Sequence, residues 1–349
     1  MSGRPVVRSS GRPIVRLMPG RWPEELPASP WRWLLLPAWA GYAAAIATRN
    51  LAFDRGWKRI ERVPAPVLSV GNLVAGGAGK TPAAIALARL LAARGRKPAV
   101  VARGYRGVDG MNEEARLAPD LPTVCDPDRV RGACRALADG ADCLVLDDGL
   151  QHRRLHRDLD LVVIDATRPW GDAGGGDGAL LPLGYRREGL AALRRCAVAW
   201  ISRGHLLPER AIALAARLHG LGLAVVREAA PQRSFCDLAG NPLATPAGAV
   251  VLASGLGNPL GFELDAQQLG LEVRASLRFP DHHHYTSTDA AAIARQAAGA
   301  SVVVTAKDAV KLAPLWPRDA PPCLVLRAVT AIEPADQPLL AGAVDRVLA

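Results

Sequence analysis

The sequence predicts an α/β protein in which parallel sheets are covered by helices. Three observations carry the prediction. From residue 66 onward, short apolar runs alternate with Ala/Leu-rich helical runs, the pattern of βα units. One strand-to-helix junction, residues 71–82, reads GNLVAGGAGKTP, a glycine-rich turn of the kind that cradles phosphate. The alternation breaks at Ala229-Ala230-Pro231 and then resumes, so a second, smaller α/β lobe is expected beyond it.

Residues 1–30 are rich in Arg and Pro, lack a helical period, and are expected to form a disordered basic tail. Residues 31–60 carry Trp31, Trp33, Trp39 and Tyr42 in an apolar run to Ala47, followed by Arg49, Arg55, Lys58 and Arg59. Aromatic side chains beside cations suit an amphipathic helix lying in a membrane interface. A helix packed on the globular body is a second reading. A spanning helix is a third, although the apolar run of about 17 residues is short for one.

Residues 61–230 are expected to form the first lobe, with strands at 67–70, 99–102, 143–146, 161–164, 198–201 and 223–226 and helices at 83–93 and 210–218. Residues 231–349 are expected to form the second, with strands near 250–253, 272–277, 302–305 and 324–326 and helices near 260–269, 289–298 and 336–347.

Half of the 349 residues are hydrophobic, enough for sizeable cores in two domains. The net charge is +10, which favours anionic partners without choosing among nucleic acid, phospholipid and phosphorylated substrates. The six cysteines form no CxxC pair, so neither a zinc site nor a disulfide framework is indicated.

Chemistry concentrates at 71–82. Val74, Ala75, Gly76, Gly77, Ala78 and Gly79 form the turn, and their amides are placed to close around phosphate oxygens at a helix N-terminus. Lys80 would reach the β- and γ-phosphates and Thr81 would ligate Mg²⁺. The strict motif has glycine where this chain has Val74. A second element, Leu144-Val145-Leu146-Asp147-Asp148-Gly149, is an apolar strand ending in carboxylates, where such folds hold Mg²⁺. One or both of Asp147 and Asp148 would serve.

Asp147-Asp148-Gly149-Leu150-Gln151-His152, beside Val70-Gly71-Asn72-Leu73 and Gly76-Gly77-Ala78-Gly79-Lys80-Thr81-Pro82, resembles the tetraacyldisaccharide 4′-kinases of lipid A synthesis. Further motifs agree in order. They are Ala102-Arg103-Gly104-Tyr105; Leu181-Pro182-Leu183-Gly184 with Arg187-Glu188; Ser254-Gly255-Leu256-Gly257-Asn258-Pro259; Phe279-Pro280-Asp281-His282-His283 with Tyr285-Thr286; and Thr305-Ala306-Lys307-Asp308-Ala309-Val310-Lys311. The resemblance runs from about Trp31 to Leu312, and it includes a phosphate loop without the first strict glycine.

The resemblance implies ATP- and Mg²⁺-dependent phosphorylation of the 4′-hydroxyl of an acylated disaccharide 1-phosphate lipid. It places the enzyme at the cytoplasmic face of the bacterial inner membrane, with no nucleic-acid partner. It implies an acidic base at Glu113, where the family carries Asp, paired with the histidine after Phe-Pro-Asp, here His282, with His283 as the alternative. It also implies acceptor or phosphate contacts for Arg103, Gln151, His152, Arg187, Glu188 and Asn258, with Glu188 holding Arg187. Ala306 stands where the family has Glu. Two other classes fit the phosphate loop: a membrane-bound nucleotide switch and a kinase for another small molecule. An acceptor-side acid–base pair discriminates, because a switch has no use for one.

Overall fold

The computed structural model describes residues 14–18, 30–104, 118, 120–171 and 178–349. In chain order the described elements open with strand β1 (Ile14–Leu17) and helix α1 (Leu36–Asp54), the latter preceded by a 3-10 helix over Pro30–Leu35. The chain divides into two compact units. The larger comprises Pro23–Arg233 and Ala328–Ala349; the smaller holds Ser234–Arg327 and strand β1.

In the larger unit the elements after α1 are β2 (Val67–Gly71), α2 (Lys80–Ala92), β3 (Pro98–Ala102), β4 (Thr123–Cys125), α3 (Arg129–Ala138), β5 (Cys143–Asp147), β6 (Leu159–Asp165), β7 (Val198–Ser202), α4 (Pro208–Gly220) and β8 (Ala224–Arg227). The strands form one sheet in the order β4-β3-β5-β2-β6-β7-β8, with every pairing parallel. All residues of β2, β3, β5, β6 and β7 are buried, as a parallel sheet covered on both faces requires. Helix α2 turns Ala83, Ala84, Leu87, Ala88 and Leu91 to the core. The alanines on that face let it lie close to the strands. Helix α3 starts where the Asp128 carboxylate accepts the amides of Val130 and Arg131.

β2 sits between β5 and β6, with Val70 opposite Asp147. That register brings the turn after β2 and the acidic end of β5 to the same edge of the sheet, where open α/β sheets bind ligands.

The smaller unit contains most of β9 (Gln232–Cys236), β10 (Pro242–Leu243), β11 (Ala249–Ser254), α5 (Leu260–Gln268), β12 (Glu272–Arg278), α6 (Ser287–Ala297), β13 (Ser301–Thr305), α7 (Ala306–Leu312) and most of β14 (Cys323–Val329). Its strand order is β1-β12-β11-β13-β14-β9-β10. Thr286 and Asp289 cap α6 reciprocally, and Thr305 caps α7 by accepting the Asp308 amide.

Two expectations change in the structure. Part of the expected tail, Ile14–Leu17, pairs in parallel with Ala275–Arg278 of β12. Helix α8 (Gln337–Leu348), expected in the second lobe, belongs to the larger unit. Its Leu340, Ala343 and Val344 are buried in the same cluster as Leu87 and Leu91 of α2. The Asp336 carboxylate also accepts the backbone amide and the guanidinium of Arg227, at 2.8–3.1 Å. Sequence pattern predicted the helix but carried no signal for which sheet it would cover.

Gly71, the last residue of β2, has no room for a side chain: a Cβ there would lie 2.4 Å from Leu150 Cβ and 2.7 Å from the Leu150 amide nitrogen. Because part of that obstacle is backbone, Gly71→Ala is expected to destabilise the larger unit by about 1–3 kcal/mol, the range of overpacking. A urea midpoint equal to that of the wild type would contradict the packing described.

Candidate active site

The phosphate-type loop runs from β2 into α2. Gly79, at φ +88°, is the residue immediately before the helix, and Gly76 has φ +108°; both values favour glycine. Side chains grip the loop from outside. Ser202 Oγ donates to the Ala78 carbonyl at 2.8 Å, Arg203 Nη1 to Gly77 at 3.0 Å, and Arg168 Nη2 to Ala75 at 3.2 Å. With these carbonyls turned outward, planar trans peptides direct the Gly76 and Gly79 amides the opposite way.

Val74 is 8% exposed and lies in an apolar cluster with Leu150, Ile164 and Trp170. Its amide neighbour Ala75 donates to the Tyr185 carbonyl at 2.8 Å. A side chain that anchors the loop in the core thus occupies the position of the strict motif's first glycine. The sequence contained no signal for this anchoring, nor for the grip of Arg168 and Arg203. Polar residues at the ends of β6 and β7 were the available hint.

Thr81 and Asp147 meet as expected, with Thr81 Oγ1 donating to Asp147 Oδ2 at 2.7 Å. Asp148, at φ +56°, lies between two cations. Lys80 Nζ is 3.6 Å from its Oδ1, and Arg187 Nη1 donates to both carboxylate oxygens at 2.9 Å. Burial works against ionisation of Asp148, but Lys80 and Arg187 outweigh it and hold the carboxyl below its ordinary range. One hydroxyl and two carboxylates gathered beside the loop form an oxygen donor set of the kind Mg²⁺ prefers.

Gln151 donates to the Asn72 carbonyl at 2.9 Å, and its Oε1 is 3.5 Å from Arg187 Nη1. Arg187 N donates to the Leu73 carbonyl at 2.7 Å. The structure therefore places Lys80, Thr81, Asp147, Asp148, Gln151 and Arg187 together. His152 lies just beyond, with Nε2 buried. Burial and the neighbouring Arg129 and Arg157 push its pKa down to about 4, so the ring is neutral at pH 7.

Glu188 is fully buried, yet it does not hold Arg187. Its Oε2 accepts from Asn50 at 3.0 Å and from Arg195 at 2.9 Å. Arg187 turns to Asp148, while Glu188 turns to Asn50 of α1 and to Arg195. Arg103 is exposed just past β3. Glu113 lies outside the described residues, as does Tyr105.

In the smaller unit, His282 has φ +56°, and its amide donates to Asp281 Oδ1 at 3.1 Å. Lys307 Nζ lies 3.3 Å from the same oxygen. The His282 side chain is 39% exposed. His283 is enclosed instead: Nε2 is 3.2 Å from Asp289 Oδ2, and its ring lies 4.9 Å from Phe279 and 5.0 Å from Tyr285 between centroids. Tyr285 donates to buried Asp308 at 3.1 Å, and the Gly255 amide donates to the same Oδ1 at 3.1 Å. This fixes the start of the loop that contains buried Asn258.

A parallel sheet with a glycine loop ending in Lys-Thr, beside a strand ending in Asp, defines a phosphate-loop nucleotide-binding protein. A family model described as LpxK, Tetraacyldisaccharide-1-P 4'-kinase, matches residues 31–348, and the chain belongs to that family. A tetraacyldisaccharide 4'-kinase of Anaeromyxobacter sp. (strain Fw109-5) is 42% identical over 348 residues, covering 90% of this chain and 91% of its own. One from Syntrophus aciditrophicus (strain SB) is 36% identical over 323 residues, covering 81% and 85%. The solved LpxK of Aquifex aeolicus, a complex with ATP, is similar at TM-score 0.65 and 26% identity, covering 91% of this chain and 99% of its own.

His152 makes stability depend on pH. The unfolded chain protonates this ring near 6.5 and the folded chain only near 4, so its contribution is present above 6.5 and is lost as pH falls through that window. Between pH 7 and 4.5 the urea-unfolding free energy of His152→Gln is expected to fall less than that of the wild type, by on the order of 2 kcal/mol. Parallel curves would remove His152 from the account.

Proposed function

We propose that this chain transfers the γ-phosphate of ATP to the 4′-hydroxyl of a lipid-linked tetraacyldisaccharide 1-phosphate, forming lipid IVA in lipid A biosynthesis. One observation carries the reading: in a member of the 4'-kinase family, Lys80 and Thr81 converge with Asp147 and Asp148 at one sheet edge.

Phosphoryl transfer needs charge neutralisation, positioning and a group to take the hydroxyl proton. The loop from Val74 to Gly79 and Lys80 bind the phosphates. Bound Mg²⁺, held by Thr81 and by Asp147 with or without Asp148, would supply neutralisation of the phosphate charge. Arg187 offers a second cation beside Lys80, and Asp148 keeps the two from repelling each other when no phosphate is bound. Glu113 takes the 4′-hydroxyl proton, with His282 orienting it or sharing the proton. The greater exposure of His282, against the enclosure of His283, favours it for that role. Arg103, Gln151, His152 and Asn258 remain candidate acceptor contacts.

Membrane attachment belongs to the same reading. Among the described residues no helix is long and apolar enough to cross a membrane. Before and along α1, Trp31, Trp33, Leu34 and Leu36 are exposed, and so are Ala38, Ala40, Ala44, Ala45 and Ala47. Such an apolar face, with Arg55, Lys58 and Arg59 exposed after it, suits peripheral or monotopic binding at the cytoplasmic face of the inner membrane.

With labelled ATP and purified disaccharide 1-phosphate lipid, the wild type is expected to transfer label and Lys80→Ala to lose transfer while keeping its fold. Glu113→Gln and His282→Ala are each expected to lower turnover by about 10²–10⁴-fold. Absence of transfer by the wild type would overturn the reading, and normal turnover by Lys80→Ala would overturn the loop assignment. Trp31→Ala combined with Trp33→Ala is expected to weaken sedimentation with anionic vesicles; unchanged sedimentation would refute the interfacial role of this segment.

A further inference from the structure

Helix α1 does more than present an apolar face. Its half-buried and buried residues are Trp39, Tyr42, Ala43, Ile46, Arg49, Asn50, Ala52 and Phe53, a stripe at helical spacing. Three polar members of that stripe end on the phosphate-transfer site. Tyr42 OH donates to the Arg187 carbonyl at 2.9 Å. Arg49 Nη2 donates to the Gln151 carbonyl, and Asn50 Nδ2 donates to Glu188 Oε2 at 3.0 Å. A turn later the helix is pinned again: Arg153 Nη2 bonds Asp54 Oδ1 at 2.7 Å, and its guanidinium lies 5.1 Å from the Phe53 ring.

Two of the receiving residues, Gln151 and Arg187, lie in the site, and Glu188 is the chain neighbour of Arg187. Arg187 is tied at its amide to Leu73, at its carbonyl to Tyr42 and at its guanidinium to Asp148. Glu188 is 0% exposed, its Oε2 shared by Asn50 of α1 and Arg195. A buried carboxylate is costly unless hydrogen-bonded, so Glu188 demands a partner and α1 supplies one. The backbone of Arg187 thus has two tethers, its amide to Leu73 just before the phosphate loop and its carbonyl to Tyr42 of the helix, while its guanidinium is held by Asp148.

We propose that Tyr42 and Asn50 are positioning residues for Arg187: the membrane-facing helix α1 sets the geometry of the phosphate-transfer site through the Tyr42–Arg187 and Asn50–Glu188 hydrogen bonds. The proposal rests on the 4'-kinase reading. It differs from membrane anchoring because Tyr42 and Asn50 lie on the stripe facing the protein body, away from the exposed Trp31, Trp33 and Leu34.

A double-mutant cycle tests it. Tyr42→Phe removes one hydroxyl and leaves the ring in place. With detergent-dispersed disaccharide lipid and labelled ATP, Tyr42→Phe is expected to lower kcat about 5–10-fold with the KM for ATP changed less than twofold, as for loss of an interaction realised in the transition state. On an Arg187→Ala background, read by single turnover with excess enzyme, the same substitution is expected to change the rate less than twofold, since residues acting as one unit are not additive. Asn50→Ala is expected to behave likewise. Vesicle sedimentation of Tyr42→Phe is expected to match the wild type. Equal fold-losses on both backgrounds would mean that Tyr42 supports only the fold, and no loss on either would show the hydrogen bond to be idle; both outcomes overturn the proposal. Transfer by the wild type in the same assay keeps the 4'-kinase reading apart from this result, and absence of transfer sinks that reading and the proposal together.

Discussion

The Asp148 carboxylate is the interaction on which the site depends. It is mostly buried, sits at a left-handed backbone position and takes Lys80 on one side and Arg187 on the other. Two cations close to one loop would repel each other without an anion between them. Asp148 supplies that anion and holds both side chains beside the glycine loop. The turn that carries it is equally constrained. A Cβ on Gly149 would lie 2.6 Å from Ser69 Oγ and 2.8 Å from Leu146 Cβ, so the acidic turn packs directly on β2, the strand that leads into the phosphate loop. Loop, lysine and carboxylates are therefore parts of one rigid edge rather than separate groups brought together by a ligand.

The rigidity of that edge comes from its surroundings. The loop carbonyls are taken by Ser202, Arg203 and Arg168, from the ends of β7 and β6. Arg203 in turn pairs with Asp165, and its amide donates to half-buried Glu228 at 2.8 Å. Arg168 also stacks over Tyr185, with its guanidinium 4.2 Å from the ring centroid. Arginine fits these places because its planar fork makes several directed hydrogen bonds from one side chain. The excess of arginine over lysine in this chain thus serves internal architecture as well as attraction for anions.

Much of this was legible in the sequence because it follows from local pattern. Each strand expected for the larger unit from its apolar run is present, and Lys80-Thr81 and Asp147-Asp148 lie where a strand-turn-helix and a strand end would put them. What stayed hidden depends on contacts between distant residues. Strand β1 is four residues in a tail whose composition reads as polar; it is a strand because β12 offers an edge. The two-residue β10 and three-residue β4 are too short to show a period. The resemblance allowed for Val74 in place of the motif's first glycine, but only the fold gives it a structural task, burial in a cluster with Trp170. Glu188 stood out in the sequence beside Arg187, but its partner Asn50 lies 138 residues earlier, and no spacing rule links them.

Helix α8 has a consequence for how the protein comes into being. Its Leu340, Ala343 and Val344 complete the core that backs α2, the helix whose first residues are Lys80 and Thr81. Between β8 and α8 the chain spells out every strand of the smaller unit's sheet except β1. During synthesis from the N-terminus, the larger unit must therefore wait with an open apolar face while the smaller unit's strands are made, since domains otherwise fold as they emerge. The sheet edge with the glycine loop reaches its final support only when α8 has been made. A nascent chain arrested before residue 337 would carry every phosphate-loop residue and still lack the packing behind them.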